Sequence, residues 1–76
     1  MSTSGKTTVL AVKLGERIRA LRKKKNWVQA DLSAHTDMDR GHISEIENGK
    51  KVINIITLQV LARALDTTMS ALLKGL

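Results

Sequence analysis

Apolar residues recur at helical spacing along almost the whole chain. Leu10, Leu14, Ile18 and Leu21 are separated by four, four and three residues, which lines one face of a helix. The pattern predicts a first helix from about Thr7 or Thr8 to Lys25, preceded by a small, polar, flexible tail at residues 1–6. Lys23, Lys24 and Lys25 close this helix at the negative end of its dipole, and Asn26 suits its C-terminal cap. A second helix follows from Val28 to His35, with Leu32 inward and Asp31 in its first turn. Thr36 and Asp37 form a turn. Asp39 is a suitable N-cap for a third helix over Arg40 to Glu47, whose inward side is Ile43 and Ile46. Asn48 and Gly49 both tolerate left-handed backbone and end it. Asn54 caps a fourth helix to about Leu65, with Leu58, Leu61, Ala62 and Leu65 inward. Asp66 and Thr67 break it, and Thr68 caps a fifth helix, Met69 to Lys74, before Gly75. The expectation is an all-α, five-helix domain over residues 7–76.

Composition sharpens this picture. The 76 residues suit one small domain, whose core supplies only a few kcal/mol of net stability. There is no Cys to staple it and no Pro to interrupt its helices. His35 and His42 lack the neighbouring carboxylate pattern of a zinc site, so no metal and no cofactor are expected. Trp27 is the only aromatic residue. One indole does not make a stacking platform for single strands, so duplex is the favoured form of any nucleic-acid partner. Trp27 is expected to pack over the junction of the first two helices.

The net charge is +6 and the basic residues are clustered. Lys13, Arg17, Arg19, Arg22, Lys23, Lys24 and Lys25 lie within thirteen residues, against Glu16 alone. A polyanionic partner accounts for this, and so does a merely solvated face. No apolar run approaches the roughly 20 residues that span a bilayer. Nor does the N-terminus combine a basic leader with a long apolar segment. No membrane contact is expected, and the expected location is the cytoplasm.

The stretch from residue 28 to 48 separates these readings. If Leu32, Met38, Ile43 and Ile46 enter one core, the second and third helices cross steeply over a short turn. The third helix then keeps one face free. Asp39, Arg40, His42, Ser44 and Asn48 crowd that face with hydrogen-bonding groups, as a helix entering a major groove requires.

At these residues the sequence resembles the phage-repressor-type (XRE, Cro/C1-like) helix-turn-helix regulators. The resemblance covers residues 14 to 73. It rests on IRALR, on Gln29 and Leu32, on IS-x-IE-x-G at residues 43–49 and on LARAL at 61–65. The combination DR-x-x-IS-x-IE-x-G is similar to the restriction–modification controller proteins. The resemblance implies a lambda-repressor-like fold with the helix-turn-helix at 28–48. It implies that Gln29 contacts a phosphate and braces the recognition helix. Arg40, Gly41, His42 and Ser44 match groove-facing positions, and Arg40 is the candidate for bidentate readout of guanine. Asn48 and Lys50 match backbone-contacting positions, with Lys51 beside them in the DNA-binding set. Glu47 matches a structural glutamate, with a first-helix arginine such as Arg22 as its expected partner. The chain departs from the family at Asp37, where Gly is usual, at Ile53, where Pro is common, and at Gly41, where a larger residue is usual. Gly41 reads either as allowing close approach to DNA or as merely tolerated.

Residues 53–76 hold more aliphatic side chains than two short helices can bury, which suggests a partner surface. Ile53, Ile55, Ile56, Met69 and Leu73 are the candidate interface of a homodimer. Such a dimer would carry two recognition helices one turn of B-DNA apart, about 34 Å. The expected function is a sequence-specific regulator of transcription, binding double-stranded DNA at a pseudo-palindromic operator. The alternative is an antitoxin-type or other protein-interaction module on the same fold. A membrane-surface peptide formed by residues 8–25 is the weaker rival, because its apolar face is accounted for as core. SGKTT at residues 4–8 matches the end of a phosphate-binding loop, but neither the upstream glycine nor a preceding strand accompanies it. No nucleophile–base or carboxylate pair stands out, so neither catalysis nor a small-molecule ligand is expected.

Overall fold

The computed structural model describes the backbone of residues 4–76 and the side chains from residue 9 onward. Among the described residues it is all helical: α1 Ser4–Lys24, α2 Gln29–Thr36, α3 Arg40–Glu47, α4 Ile55–Ala64 and α5 Met69–Leu73. The helix α1 begins three residues before Thr7, since nothing in Ser4-Gly5-Lys6 forces a break. The proposed tail therefore divides: residues 4–6 are helical and residues 1–3 lie outside the described residues.

The connections between helices are short because their termini are sharply turned. Asn26, Gly49 and Asp66 all take left-handed backbone, with φ of 60°, 72° and 55°. After α1, the Asn26 N–H donates to the Lys23 carbonyl and the Trp27 N–H to the Arg22 carbonyl. Gly49 and Lys50 repeat this double bond after α3, and Asp66 and Thr67 repeat it after α4. At their other ends, the Asn54 side chain accepts from the Thr57 N–H at 2.8 Å and Thr68 from the Ala71 N–H at 3.0 Å. The Asp31 carboxylate accepts from the Val28 N–H at 2.8 Å, which adds a side-chain bond to its favourable charge. One expected cap is absent: Asp39 holds the N-cap position of α3, but its side chain accepts none of the helix's amides.

The core is a single aliphatic cluster of Leu14, Ile18, Leu32, Ile43, Ile46, Leu58, Leu61, Ala62, Leu65 and Leu72. Every helix contributes to it, and Leu21, Trp27, Met38, Ile53 and Met69 pack against its edge. Leu10 departs from expectation, since it is exposed rather than inward. At 1.5 Å per residue the 21 residues of α1 run to about 30 Å, while the eight residues of α3 against which they pack give about 12 Å. The helix α1 is thus far longer than α3, which cannot cover its whole length.

The helices α1 and α3 touch backbone to backbone at Gly15. A Cβ there would lie 2.3 Å from the Ile46 carbonyl oxygen and 2.8 Å from that of Glu47. This contact sets how deeply α3 beds into the domain, and so where its outer face stands.

Candidate nucleic-acid interface

The helices α2 and α3 are held at a fixed crossing by a buried polar bridge. The Arg22 guanidinium donates from Nε to Glu47 Oε2 at 2.7 Å and from Nη2 to Oε1 at 2.9 Å. Its Nη1 donates to the Trp27 carbonyl at 2.7 Å. Gln29 Nε2 donates to the same Glu47 Oε1 at 3.1 Å. One carboxylate therefore ties α1, α2 and α3 together. Arg22 and Glu47 are 6% and 4% exposed, and their buried polar side-chain atoms all have partners. The bond to Glu47 holds the Arg22 guanidinium above its ordinary range, against the opposing effect of burial. The structural role expected of Glu47, with Arg22 as partner, is found. Gln29 braces the third helix through that same carboxylate.

The turn between α2 and α3 closes on local hydrogen bonds. Ser33 Oγ donates to the Met38 carbonyl, Thr36 Oγ1 donates to the Leu32 carbonyl at 2.7 Å, and Thr36 Oγ1 accepts from the Met38 N–H at 3.3 Å. Asp37 takes the left-handed conformation (φ 60°) that glycine would take more easily. Leu32, Ile43 and Ile46 are buried beneath the turn.

On the outer side, Asp39, Arg40 and Gly41 are exposed at the start of α3, and His42 and Ser44 are half-buried further along. Asn48 Nδ2 donates to Ser44 Oγ at 3.4 Å, so these two side chains share one strip. Lys50 and Lys51 are exposed just beyond the helix. Val28, Gln29 and Ala30 from α2 and Arg40, Gly41 and Ser44 from α3 line one shallow groove. Arg40, Gly41 and Ser44 thus stand on one surface with the first turn of α2. Val28 and Ala30 lie in that groove too, although neither is among the residues expected to face DNA. Val28 is 62% exposed.

The basic cluster is less free than its charge suggests. Arg17 Nη1 donates to the carbonyls of Ala71, Leu72 and Lys74 at 3.3, 3.0 and 2.5 Å, which ties α1 to the end of α5. Lys25 Nζ donates to Asp66 at 2.6 Å, and this bond lowers the Asp66 pKa, as does the lysine's charge. Lys25 also stands 4.9 Å from the centre of the Trp27 ring, and His35 stacks on Trp27 at 4.2 Å. With Arg22 in the bridge, three of the seven clustered cations serve internal contacts. Lys13, Arg19, Lys23 and Lys24 are exposed.

Of the candidate interface residues, Ile55 and Ile56 are 67% and 64% exposed, and Leu73 is exposed too. Ile53 and Met69 are half-buried against the domain's own core, so less of each is available to a partner. Val52, absent from the candidates, is exposed beside them. Among the described residues no helix is long and apolar enough to cross a membrane.

A short helix pair joined by a tight turn and tied together through Glu47, with its second member presenting polar side chains outward, defines a helix-turn-helix domain. The comparisons with known proteins agree. A helix-turn-helix family model (HTH_3) matches residues 18–72. The control protein C.MunI of Mycoplasma sp is 33% identical over 64 residues, spanning 83% of this chain and 86% of that protein. Among solved structures, the restriction-modification controller protein C.AhdI from Aeromonas hydrophila superposes with a TM-score of 0.79 at 32% identity, covering 82% of this chain and 94% of that one. The controller C.Esp1396I, solved as a tetramer in complex with its natural 35 base-pair operator, gives 0.76 at 27% identity, covering 83% of each chain. The chain belongs to the XRE-type helix-turn-helix family, whose members are DNA-binding regulators of transcription and not enzymes.

Proposed function

We propose that this regulator binds double-stranded DNA as a homodimer on a pseudo-palindromic operator, in the manner of a restriction–modification controller, and works in the cytoplasm. The observation that carries the reading is the bridge from Arg22 and Gln29 to Glu47, which fixes α3 so that its outer face is available to a major groove. Arg40 is exposed at the N-terminal end of that face, where a guanidinium reaches the O6 and N7 of guanine. His42, Ser44 and Asn48 follow along it, while Gln29, Lys50 and Lys51 flank it at phosphate positions. Asp39 stands at its edge, where its charge disfavours misplaced phosphates. An eight-residue helix reads only a few base pairs, so a second copy is needed for a useful site. Exposed Ile55, Ile56 and Leu73, with the free parts of Ile53 and Met69, supply an apolar surface for it.

The test is a selection of bound duplexes from a random pool, followed by titration of wild type and Arg40→Ala across a range of salt. Arg40→Ala should weaken the selected site by about 1–3 kcal/mol and relax preference at one position per half-site. Its affinity for random duplex should change far less. Equal losses on both would reduce Arg40 to a phosphate contact. Operator affinity should fall steeply with salt as counterions are released. A flat salt response would favour a protein partner instead.

A further inference from the structure

Two residues that line the outer groove are poor choices for stability. Val28 occupies the N-cap of α2, where Ser, Thr, Asp or Asn would accept a bond from the helix amides; valine has no acceptor. Gly41 is the second residue of α3, and glycine is the poorest helix former after proline. Neither is explained by the protein's interior. Val28 is 62% exposed. A Cβ built on Gly41 meets nothing within 4 Å, and the residue does not need left-handed backbone. Alanine would fit there and favour the helix. Where a chain departs from local preference twice at one spot without a packing reason, the explanation belongs to what binds there.

From this we infer that Val28, Ala30 and the bare backbone of Gly41 form a notch for the 5-methyl group of a thymine, beside the base read by Arg40. The inference rests on the DNA-binding reading above and adds a specificity element to it. Val28 and Ala30 add apolar surface to a groove otherwise lined by Gln29, Arg40 and Ser44, and Gly41 leaves open space where a side chain would stand. Arg40 borders the same groove, so the base pair presenting the methyl group neighbours the one meeting the guanidinium. In the major groove the thymine methyl is the one apolar group on a base edge, and an apolar side chain is its fitting partner.

The experiment uses the operator recovered by the selection above. Each thymine is replaced in turn by deoxyuridine, which removes the methyl and leaves the pairing intact. Wild type should lose about four-fold in affinity at one thymine per half-site, one methyl being worth about 0.8 kcal/mol at 1.4 kcal/mol per tenfold. That thymine should adjoin the position relaxed by Arg40→Ala. Val28→Ser should melt at a higher temperature, having gained a cap, yet bind thymine and uracil operators equally. Gly41→Ala should also melt higher. It should bind the operator at least ten-fold more weakly, with its affinity for random duplex unchanged, because the new methyl fills the notch. The inference is overturned if wild type tolerates uracil at every position, or if Val28→Ser keeps the discrimination. It is equally overturned if Gly41→Ala binds as wild type or loses the same factor on both duplexes. Failure to recover any bound fragment instead removes the DNA-binding reading itself, whereas an operator insensitive to uracil leaves that reading standing.

Discussion

Removing the Glu47 carboxylate should be among the most damaging single changes this domain can suffer. Glu47→Ala strands the Arg22 guanidinium, 6% exposed, with the Trp27 carbonyl as its remaining acceptor. It also leaves the Gln29 amide, 3.1 Å from the lost carboxylate, without that bond. Charge-assisted bonds of this kind contribute roughly 1.5–3 kcal/mol each, and breaking a buried pair from one side costs about 3–5 kcal/mol. At about 0.05–0.15 kcal/mol per residue, a chain of 76 residues has only about 4–11 kcal/mol to lose. The loss should lower the melting temperature by at least about 12 °C, at roughly 4 °C or more per kcal/mol for a domain of this size. Urea unfolding followed by far-ultraviolet circular dichroism measures the effect directly. The double variant Arg22→Met with Glu47→Leu separates a stranded charge from lost packing. It removes both charges and keeps apolar volume, so it should be more stable than Glu47→Ala. A cost under about 1 kcal/mol for Glu47→Ala, or a greater loss in the double variant than in the single one, would refute a stranded charge as the cause.

Further outcomes follow from other contacts. Gly15→Ala should destabilise by about 1–3 kcal/mol in the same urea assay, because its Cβ would press on the Ile46 and Glu47 carbonyls; a neutral result would mean that α1 and α3 separate freely. Asp66 has its pKa lowered from 3.8 by the Lys25 hydrogen bond, so the stability it adds is present above that value and lost as pH falls through the lower folded value. The stability gap between wild type and Asp66→Asn should therefore close on acidification below about pH 4, and a gap that persists there would assign it to backbone geometry. Wild type should sediment as a dimer at micromolar concentration and Ile55→Lys with Ile56→Lys as a folded monomer, and an unchanged dimer in the variant would move the interface elsewhere.

Much of this domain was legible in its sequence because the relevant signals are local. The apolar spacing predicts Leu14, Ile18, Leu32, Ile43, Ile46, Leu58 and Leu61 to face inward, and all are buried. Asn54, Thr68, Asn26 and Gly49 were marked as helix ends by residue chemistry, and they do end helices. A hydrogen bond three or four residues long, or a backbone angle, depends little on what lies across the fold.

What the sequence left open depends on which residues meet across the fold. Arg17, Arg22 and Lys25 looked like members of one cationic face. Only the packing of α1 against α3 and α5, and the return of the chain past Asp66, makes one a carbonyl clamp, one a buried bridge and one a surface ion pair. Asp39 has the chemistry of a cap, yet its side chain accepts none of the α3 amides. Gly15 gave no local sign of its importance, since its role is the absence of a side chain where another helix's carbonyls arrive. Val28 has only the place of a helix start in the sequence, and Gly41 reads either as allowing close approach to DNA or as merely tolerated; the fold brings both to one groove. Periodicity and capping chemistry therefore determined the five helices and their inward faces. The tertiary structure decided which charges are held in internal contacts and which polar side chains stay exposed, because both depend on contacts between residues far apart in the chain.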